Sequence, residues 1–222
     1  FSHYNTATVP GLASDNIWTV ADGGNGKLYI GHVHHGFSIL SIKDKKVRNF
    51  VHDPNNRNSL PGNEVRCVYK DMNHNIWVGT NKGLALFNPE SENFIQFNSD
   101  GNLSHYIYDI RQLDGNKLWI AMEFGGIAIM DLSQRLFLLP EQTQFHYIRE
   151  GDDGYSLSNS SARCIFQDSF KNIWTGVWGG GINFLSYEPP LFSGYYYSPN
   201  QNSMSRLNNK TASSICVDSQ GK

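Results

Sequence analysis

The sequence predicts an all-β protein, a β-propeller of four-stranded antiparallel blades. Three observations support this prediction: a motif that recurs along the chain, a composition rich in glycine and aromatic residues, and a second strand in each repeat that is apolar on both faces. The chain has 222 residues, with 21 glycines and 13% aromatic residues but only 17% charged residues. Many short strands joined by tight turns produce such a balance.

The recurring motif runs from a leucine to an aspartate and on to an aromatic residue. The aspartate follows the leucine after 11 residues in four copies and after 10 in the first copy. The leucines recur after 48, 43, 54 and 50 residues, which is the period of a four-stranded propeller blade. The five leading leucines are Leu12, Leu60, Leu103, Leu157 and Leu207.

These registers divide the chain into four complete blades with a partial blade at each end. The complete blades are predicted over residues 12–59, 60–102, 103–156 and 157–206, and the partial blades over residues 1–11 and 207–222. Residues 1–4 have the pattern of a fourth strand, and residues 215–218 that of a first strand. A seven-bladed ring at this period needs roughly 340 residues. The sequence therefore predicts part of a larger, seven-bladed propeller.

The second copy shows the four strands of one blade, over residues 65–69, 76–80, 84–87 and 94–97. The second strand is a continuous apolar run, as expected of a middle strand covered by a blade on each side. Asp71, Asp114 and Asp168 are predicted to start tight turns by bonding their own backbone. Gly79 and Gly176 follow a bulky aromatic, where another strand is expected to approach closely. Positive φ is expected at three further glycines, Gly83, Gly126 and Gly181.

The motif resembles the two-component regulator propeller repeat. The resemblance is carried by residues 75–84, Asn-Ile-Trp-Val-Gly-Thr-Asn-Lys-Gly-Leu, and by residues 172–183, Asn-Ile-Trp-Thr-Gly-Val-Trp-Gly-Gly-Gly-Ile-Asn. The sequence departs from the pattern at Tyr29 and Ala121, where tryptophan and glycine are usual. The resemblance covers nearly the whole chain.

This resemblance implies the sensor region of a Bacteroidetes hybrid two-component system. Such regions lie in the periplasm, and their propellers precede a membrane helix and a histidine kinase. The implied ligand is an oligosaccharide, and the implied partners are the other blades and the kinase region of the same polypeptide. A homodimer is also compatible with the resemblance.

Ligands of propellers bind where two sets of loops converge, one before the first strand and one between the second and third strands. Residues in these loops differ between the copies, as expected of a recognition surface on a repeated scaffold. Residues six positions after the leading leucines supply one set of candidates, and the second loops supply the other. The candidate ligand-binding residues are Trp18, His34, Arg66, Asp109, Glu123, Arg163 and Trp178.

The chemistry of these candidates suits a sugar. Trp18 and Trp178 could stack on apolar ring faces, while Arg66 and Arg163 could bind hydroxyls, a carboxylate or a sulfate. The alternatives are structural. Trp178 would then pack between blades, and the arginines would lie at solvated strand ends or form ion pairs with Asp109 or Glu64.

Other kinds of chemistry find little support. The net charge of −2 does not fit a nucleic-acid binder, and no motif indicates a catalytic residue, a metal or a cofactor. The histidines of residues 32–35 are expected to form a polar loop rather than a zinc site. Cys67 and Cys164 share one repeat position and are expected to be small buried residues.

Three functions follow, from different classes. The leading prediction is a periplasmic sensor domain that recognises an oligosaccharide and regulates a kinase, with no enzymatic activity of its own. The first alternative is a scaffold for protein interaction or dimerisation that has no ligand. A glycoside-active propeller enzyme, acting through Asp109 or Glu123, is the second alternative.

Overall fold

The computed structural model describes residues 1–97, 103, 105–113, 115–133, 139–151, 156–187, 196–197 and 206–207. The chain divides into two compact units, Phe1–Tyr187 and Glu188–Lys222. No helix among the described residues is long and apolar enough to cross a membrane.

The described residues of the first unit form four antiparallel sheets, each with its strands in sequence order. The first blade consists of β1 (Ile17–Gly24), β2 (Lys27–His32), β3 (Phe37–Ser41) and β4 (Val47–Phe50). The second consists of β5 (Val65–Lys70), β6 (Ile76–Thr80), β7 (Gly83–Asn88) and β8 (Asn93–Phe97). The third consists of β9 (Ile107–Leu113), β10 (Lys117–Met122), β11 (Gly126–Asp131) and β12 (Phe145–Ile148). Three strands of the fourth are described: β13 (Ala162–Gln167), β14 (Ile173–Val177) and β15 (Gly181–Leu185).

These sheets confirm the predicted propeller of four-stranded blades. A short 3-10 helix, Pro140–Gln142, precedes β12 in the third blade. In the second unit, β16 (Tyr196–Tyr197) and β17 (Arg206–Leu207) pair in parallel. The remainder of the predicted partial blade over residues 207–222 lies outside the described residues, as does the turn aspartate Asp114.

The predicted strand over residues 1–4 does not form. A fourth strand pairs with the third strand of its own blade, and no third strand among the described residues pairs with this segment. The four residues are exposed and lie outside every sheet.

The first strands lie at the inner side of the blades, because each contacts the first strand of the next blade: β1 with β5, β5 with β9, and β9 with β13. Apolar clusters fill the space between consecutive blades. Phe37 of the first blade packs with Phe87 of the second, and Trp77 of the second packs in one cluster with Ile120 of the third. The core is therefore a series of layers between blades.

This layered core explains the apolar second strands. All five residues of β6 are buried, since blades cover both of its faces. In β14, by contrast, Trp174 is 38% exposed because it lies on the face turned away from the third blade. The place of a blade in the series also determines whether its cysteine is buried. Cys67 is buried with its thiol near the Ile107 carbonyl, whereas Cys164 is exposed, contrary to the sequence prediction.

A carboxylate network locks the turn between the first and second strands. The Asp71 carboxylate accepts hydrogen bonds from the backbone N–H groups of Asn73 and Asn75, from the Asn75 side-chain amide, and from the Trp77 indole at 2.9 Å. Asp168 accepts the equivalent four bonds in the fourth blade. The bond from the Trp174 indole is the main reason why the pKa of Asp168 lies below its usual value.

The predicted glycine positions are confirmed. A Cβ atom on Gly79 would lie 2.4 Å from the Cys67 sulfur and 2.6 Å from the Ile107 side chain of the next blade. Only glycine therefore allows β6 to lie this close to β5 and β9. The glycines that open the third strands have positive φ, namely Gly83, Gly126 and Gly181.

Substituting Asp71 with alanine should destabilise the protein because four donors, including the indole N–H of the buried Trp77, lose this acceptor. We expect the free energy of unfolding to fall by about 2–3 kcal/mol in urea denaturation. The matched control is Asp168→Ala, which removes the same four bonds. There Trp174 is partly exposed and water can replace the bonds, so the loss should be smaller. Equal losses at both positions would show that burial of the tryptophan does not strengthen the network.

Candidate functional site

Every first strand carries a β-bulge near its start. The pairing register with the second strand shifts around Trp18 in β1, Arg66 in β5, Tyr108 in β9 and Arg163 in β13. A bulge leaves one residue unpaired and turns its side chain away from the regular pleat. The four bulged residues therefore occupy one equivalent position in the four blades.

The two predicted loop sets converge at these bulges. In each blade, the loop between the second and third strands donates a backbone hydrogen bond to the carbonyl of a residue just before the first strand. The four bonds run from Val33 to Asn16, Asn81 to Glu64, Glu123 to Tyr106, and Trp178 to Ser161, with lengths of 2.9–3.0 Å. This repeated bond confirms that both loop sets lie at one edge of the blades.

The bulged residues stack into a row of alternating aromatic rings and guanidinium groups. The Arg66 Cζ atom lies 4.5 Å from the ring centroid of Trp18 and 4.9 Å from that of Tyr108. The Arg163 Cζ atom lies 3.8 Å from the Tyr108 centroid and 5.2 Å from that of Trp178. We call this row of Trp18, Arg66, Tyr108, Arg163 and Trp178 the arginine–aromatic ladder. Cation–π attraction holds each arginine against these rings, and Arg66 also lies 4.8 Å from the ring centroid of Tyr106.

Two carboxylates hold the arginines of the ladder. Arg66 donates to Glu64 at 3.3 Å, and Arg163 donates to Glu123 at 2.7 Å. Glu64 also accepts a hydrogen bond from the Tyr106 hydroxyl at 3.4 Å. The His34 ring nitrogen lies 3.5 Å from the same Glu64 carboxylate.

The two guanidinium groups are short of partners. Their side chains are only 20% and 25% exposed, and neither Nε atom has a hydrogen-bond partner among the described residues. Burial, and secondarily the nearby charge of Arg66, lowers the pKa of Arg163. The ends of the ladder are open, since Trp18 is 50% exposed and Trp178 is 70% exposed.

Six of the seven candidates predicted from the sequence therefore lie together. The predicted ion pair of Arg66 with Glu64 also forms. Trp178 belongs to the last of the described blades, so the alternative in which it packs between blades stays open. The histidines of residues 32–35 separate: His32 is fully buried and bonded to Ser38 at 2.8 Å. Among the described residues, no group of three or more His, Cys, Asp or Glu side chains could hold a metal ion.

Asp109 is the candidate that the structure places elsewhere. Its carboxylate accepts the Ile165 N–H of β13 at 2.9 Å and the Ile110 N–H at 3.0 Å, and it pairs with Arg111. Burial raises the pKa of this carboxyl above its usual value. Asp109 thus joins the third blade to the fourth, and it lies outside the ladder.

The register of the third blade explains this difference. Counting six residues from the leading leucine gives Asp109, but the bulged residue is Tyr108. The leucine spacing misses Tyr106 and Tyr108 because a loop separates the leucine from the first strand. Counting back eleven residues from the aromatic of the second strand gives the bulged residue in every blade, because that aromatic lies on the paired strand. The aromatic residue of the second strand therefore locates the bulged residue better than the leading leucine does.

Comparison with known proteins agrees with this fold. Residues 59–82 match the family model described as the two-component regulator propeller. The chain is 55% identical over 99% of its length to the extracellular domain of the putative hybrid two component system BT3049 from B. thetaiotaomicron, with a TM-score of 0.76. The extracellular domain of BT4673 from the same organism is 17% identical over 81% of the chain, with a TM-score of 0.66, and shows the fold alone.

The blades, their bulges and the Asp–Asn–Trp turns define the chain as a β-propeller. It carries the two-component regulator repeat and resembles extracellular domains of hybrid two-component systems. A curated relative, "Histidine kinase P4" of Formosa agariphila, is 30% identical in an alignment over 86 residues that covers 35% of this chain. The chain spans 26% and 25% of the two solved structures and 6% of the kinase.

Asp109→Ala should weaken the contact between the third and fourth blades, because the Ile165 N–H loses its acceptor. We expect the free energy of unfolding to fall by about 1–3 kcal/mol in urea denaturation. The matched control is Arg111→Ala, whose side chain is half exposed, so its loss should stay below about 1 kcal/mol. A larger effect at Arg111 than at Asp109 would contradict the assignment.

Proposed function

We propose that this chain is a ligand-sensing propeller domain of a hybrid two-component receptor, and that it recognises an oligosaccharide in the periplasm. The receptor would relay binding to a histidine kinase that follows in the same polypeptide. The observation that carries the proposal is the arginine–aromatic ladder, at the edge of the blades where both loop sets converge.

The ladder has the elements that sugar recognition requires. Trp18 and Trp178 present open rings at its two ends, onto which the apolar faces of sugar rings can stack. Between the rings, guanidinium donors and the acceptors of Glu64 and Glu123 can bind hydroxyl groups. Because the ladder draws residues from all four blades, one extended ligand can contact several of them.

Binding is favoured over glycoside hydrolysis by the partners that the carboxylates have in the structure. A glycosidase needs one carboxyl group that is kept protonated, which requires apolar surroundings. Glu64 and Glu123 instead each pair with an arginine of the ladder, at N–O distances of 3.3 and 2.7 Å, so neither lies in apolar surroundings. Asp109, the other carboxylate considered for catalysis, is occupied by the contact between blades. The geometry therefore supports a sensor without catalytic residues of its own.

A ligand that bridges blades would favour one arrangement of the receptor over another. Such a ligand shifts an equilibrium only by the difference in its affinity for the two arrangements. Contacts to adjacent blades supply this difference if the blades, or the subunits that carry them, move relative to one another.

Titration calorimetry of the intact receptor against a panel of oligosaccharides tests the proposal. Trp178→Ala should weaken binding at least about tenfold, because an exposed stacking ring is lost at the site. The matched control is Phe170→Ala, an equally exposed aromatic in the turn at the opposite end of the strands. Absence of binding to every glycan, together with firm binding to a protein partner, would contradict the proposal and favour an interaction scaffold.

A further inference from the structure

In the ladder, two guanidinium groups lie against one aromatic ring. The Cζ atoms of Arg66 and Arg163 lie 4.9 and 3.8 Å from the centroid of Tyr108. Both side chains are three-quarters or more buried, so water screens their charges less than it would at the surface. Their mutual repulsion is felt at Arg163, whose pKa is lowered in part by Arg66.

The carboxylates of Glu64 and Glu123 do not accept hydrogen bonds from all the N–H donors of the two arginines. A guanidinium has five N–H donors in a planar fork that matches the two oxygens of a carboxylate. Each arginine of the ladder bonds its glutamate through a single Nη2 atom, and the Nε atoms have no partner among the described residues. Glu64 is moreover shared by Arg66, the Tyr106 hydroxyl and His34. The site therefore has more unused donors than unused acceptors.

An anion would pair with the unused N–H donors of Arg66 and Arg163 better than a neutral sugar would. A hydroxyl oxygen is a weaker acceptor than an ionised oxygen, and bonds between charged groups are roughly twice as strong as neutral ones. An anion placed beside both guanidinium groups would also relieve their repulsion. The open rings of Trp18 and Trp178 argue that the anion is carried by a larger molecule with apolar faces, and not by a free ion.

We propose that the ladder selects an acidic oligosaccharide, whose carboxylate or sulfate group binds Arg66 and Arg163 while its sugar rings stack on Trp18 and Trp178. This inference rests on the proposed function and narrows its ligand class. Tyr108 then acts as a positioning residue, because its ring lies against both guanidinium groups and orients them.

The test compares matched pairs of oligosaccharides that differ only in the acidic group. The pairs are trigalacturonate with galactotriose, and sulfated with desulfated chondroitin disaccharide, with sodium sulfate as the free-anion arm. Binding to the intact receptor is measured by titration calorimetry at low and high sodium chloride. At least one acidic member should bind about tenfold or more tightly than its neutral partner, and its affinity should fall as salt rises.

Variants locate the effect in the ladder. Arg163→Ala and Arg66→Ala should each abolish most of the preference for the acidic member. Arg48→Ala should leave it unchanged, because this exposed arginine pairs with Glu92 on the outer part of the blades. The salt dependence of the unmodified receptor tests the same point without any variant, should either arginine variant fail to fold.

The outcomes separate the two proposals. Equal affinity for acidic and neutral members, without salt dependence, would overturn the acidic ligand and leave the oligosaccharide sensor standing. Tight binding of sulfate, with no gain from the attached sugar, would overturn the role of the stacking rings. Absence of binding by every member of both pairs and by the wider glycan panel would overturn the sensor itself.

Discussion

The second and fourth blades depend on the hydrogen bonds between a turn aspartate and the tryptophan of the following strand. In the second blade, Asp71 bonds the turn backbone and the Trp77 indole at once, so that one carboxylate fixes both the chain reversal and the tryptophan orientation. The oriented indole then fills the layer between two blades, where it is fully buried. Blade spacing thus follows from a local polar interaction, which burial strengthens.

The other end of the same strand pair, β5 and β6, carries the bulge that contributes to the arginine–aromatic ladder. With the turn fixed by Asp71, the register of β5 against β6 is set, and the one extra residue appears as a bulge at Arg66. Since the other blades repeat the bulge, the bulged side chains stand in a row across neighbouring blades. The repeat therefore builds a scaffold that is alike in every blade and a ladder whose members differ.

The sequence predicted the blades well because their determinants are local and repeated. Turn aspartates, apolar second strands and opening glycines each have a physical role that can be assigned within one copy. It also placed six of the seven candidates at one edge of the blades. It placed Asp109, and not Tyr108, at the bulge position because the leading leucine lies across a loop from the first strand, and a loop can gain or lose a residue without disturbing the pairing. It failed at Cys164 because burial there depends on the neighbouring blade.

The amino-acid sequence by itself determined the propeller class, the positions of the strands and the residue types available for recognition. Periodicity suffices for these features, since each blade forms from contiguous residues. Only the tertiary structure decided that Tyr108 stands between Arg66 and Arg163, and that Glu123 pairs with Arg163. The contacts of Tyr108 and Glu123 join residues about 40 positions or more apart in successive blades, where the distances between side chains are set by the packing of sheet against sheet.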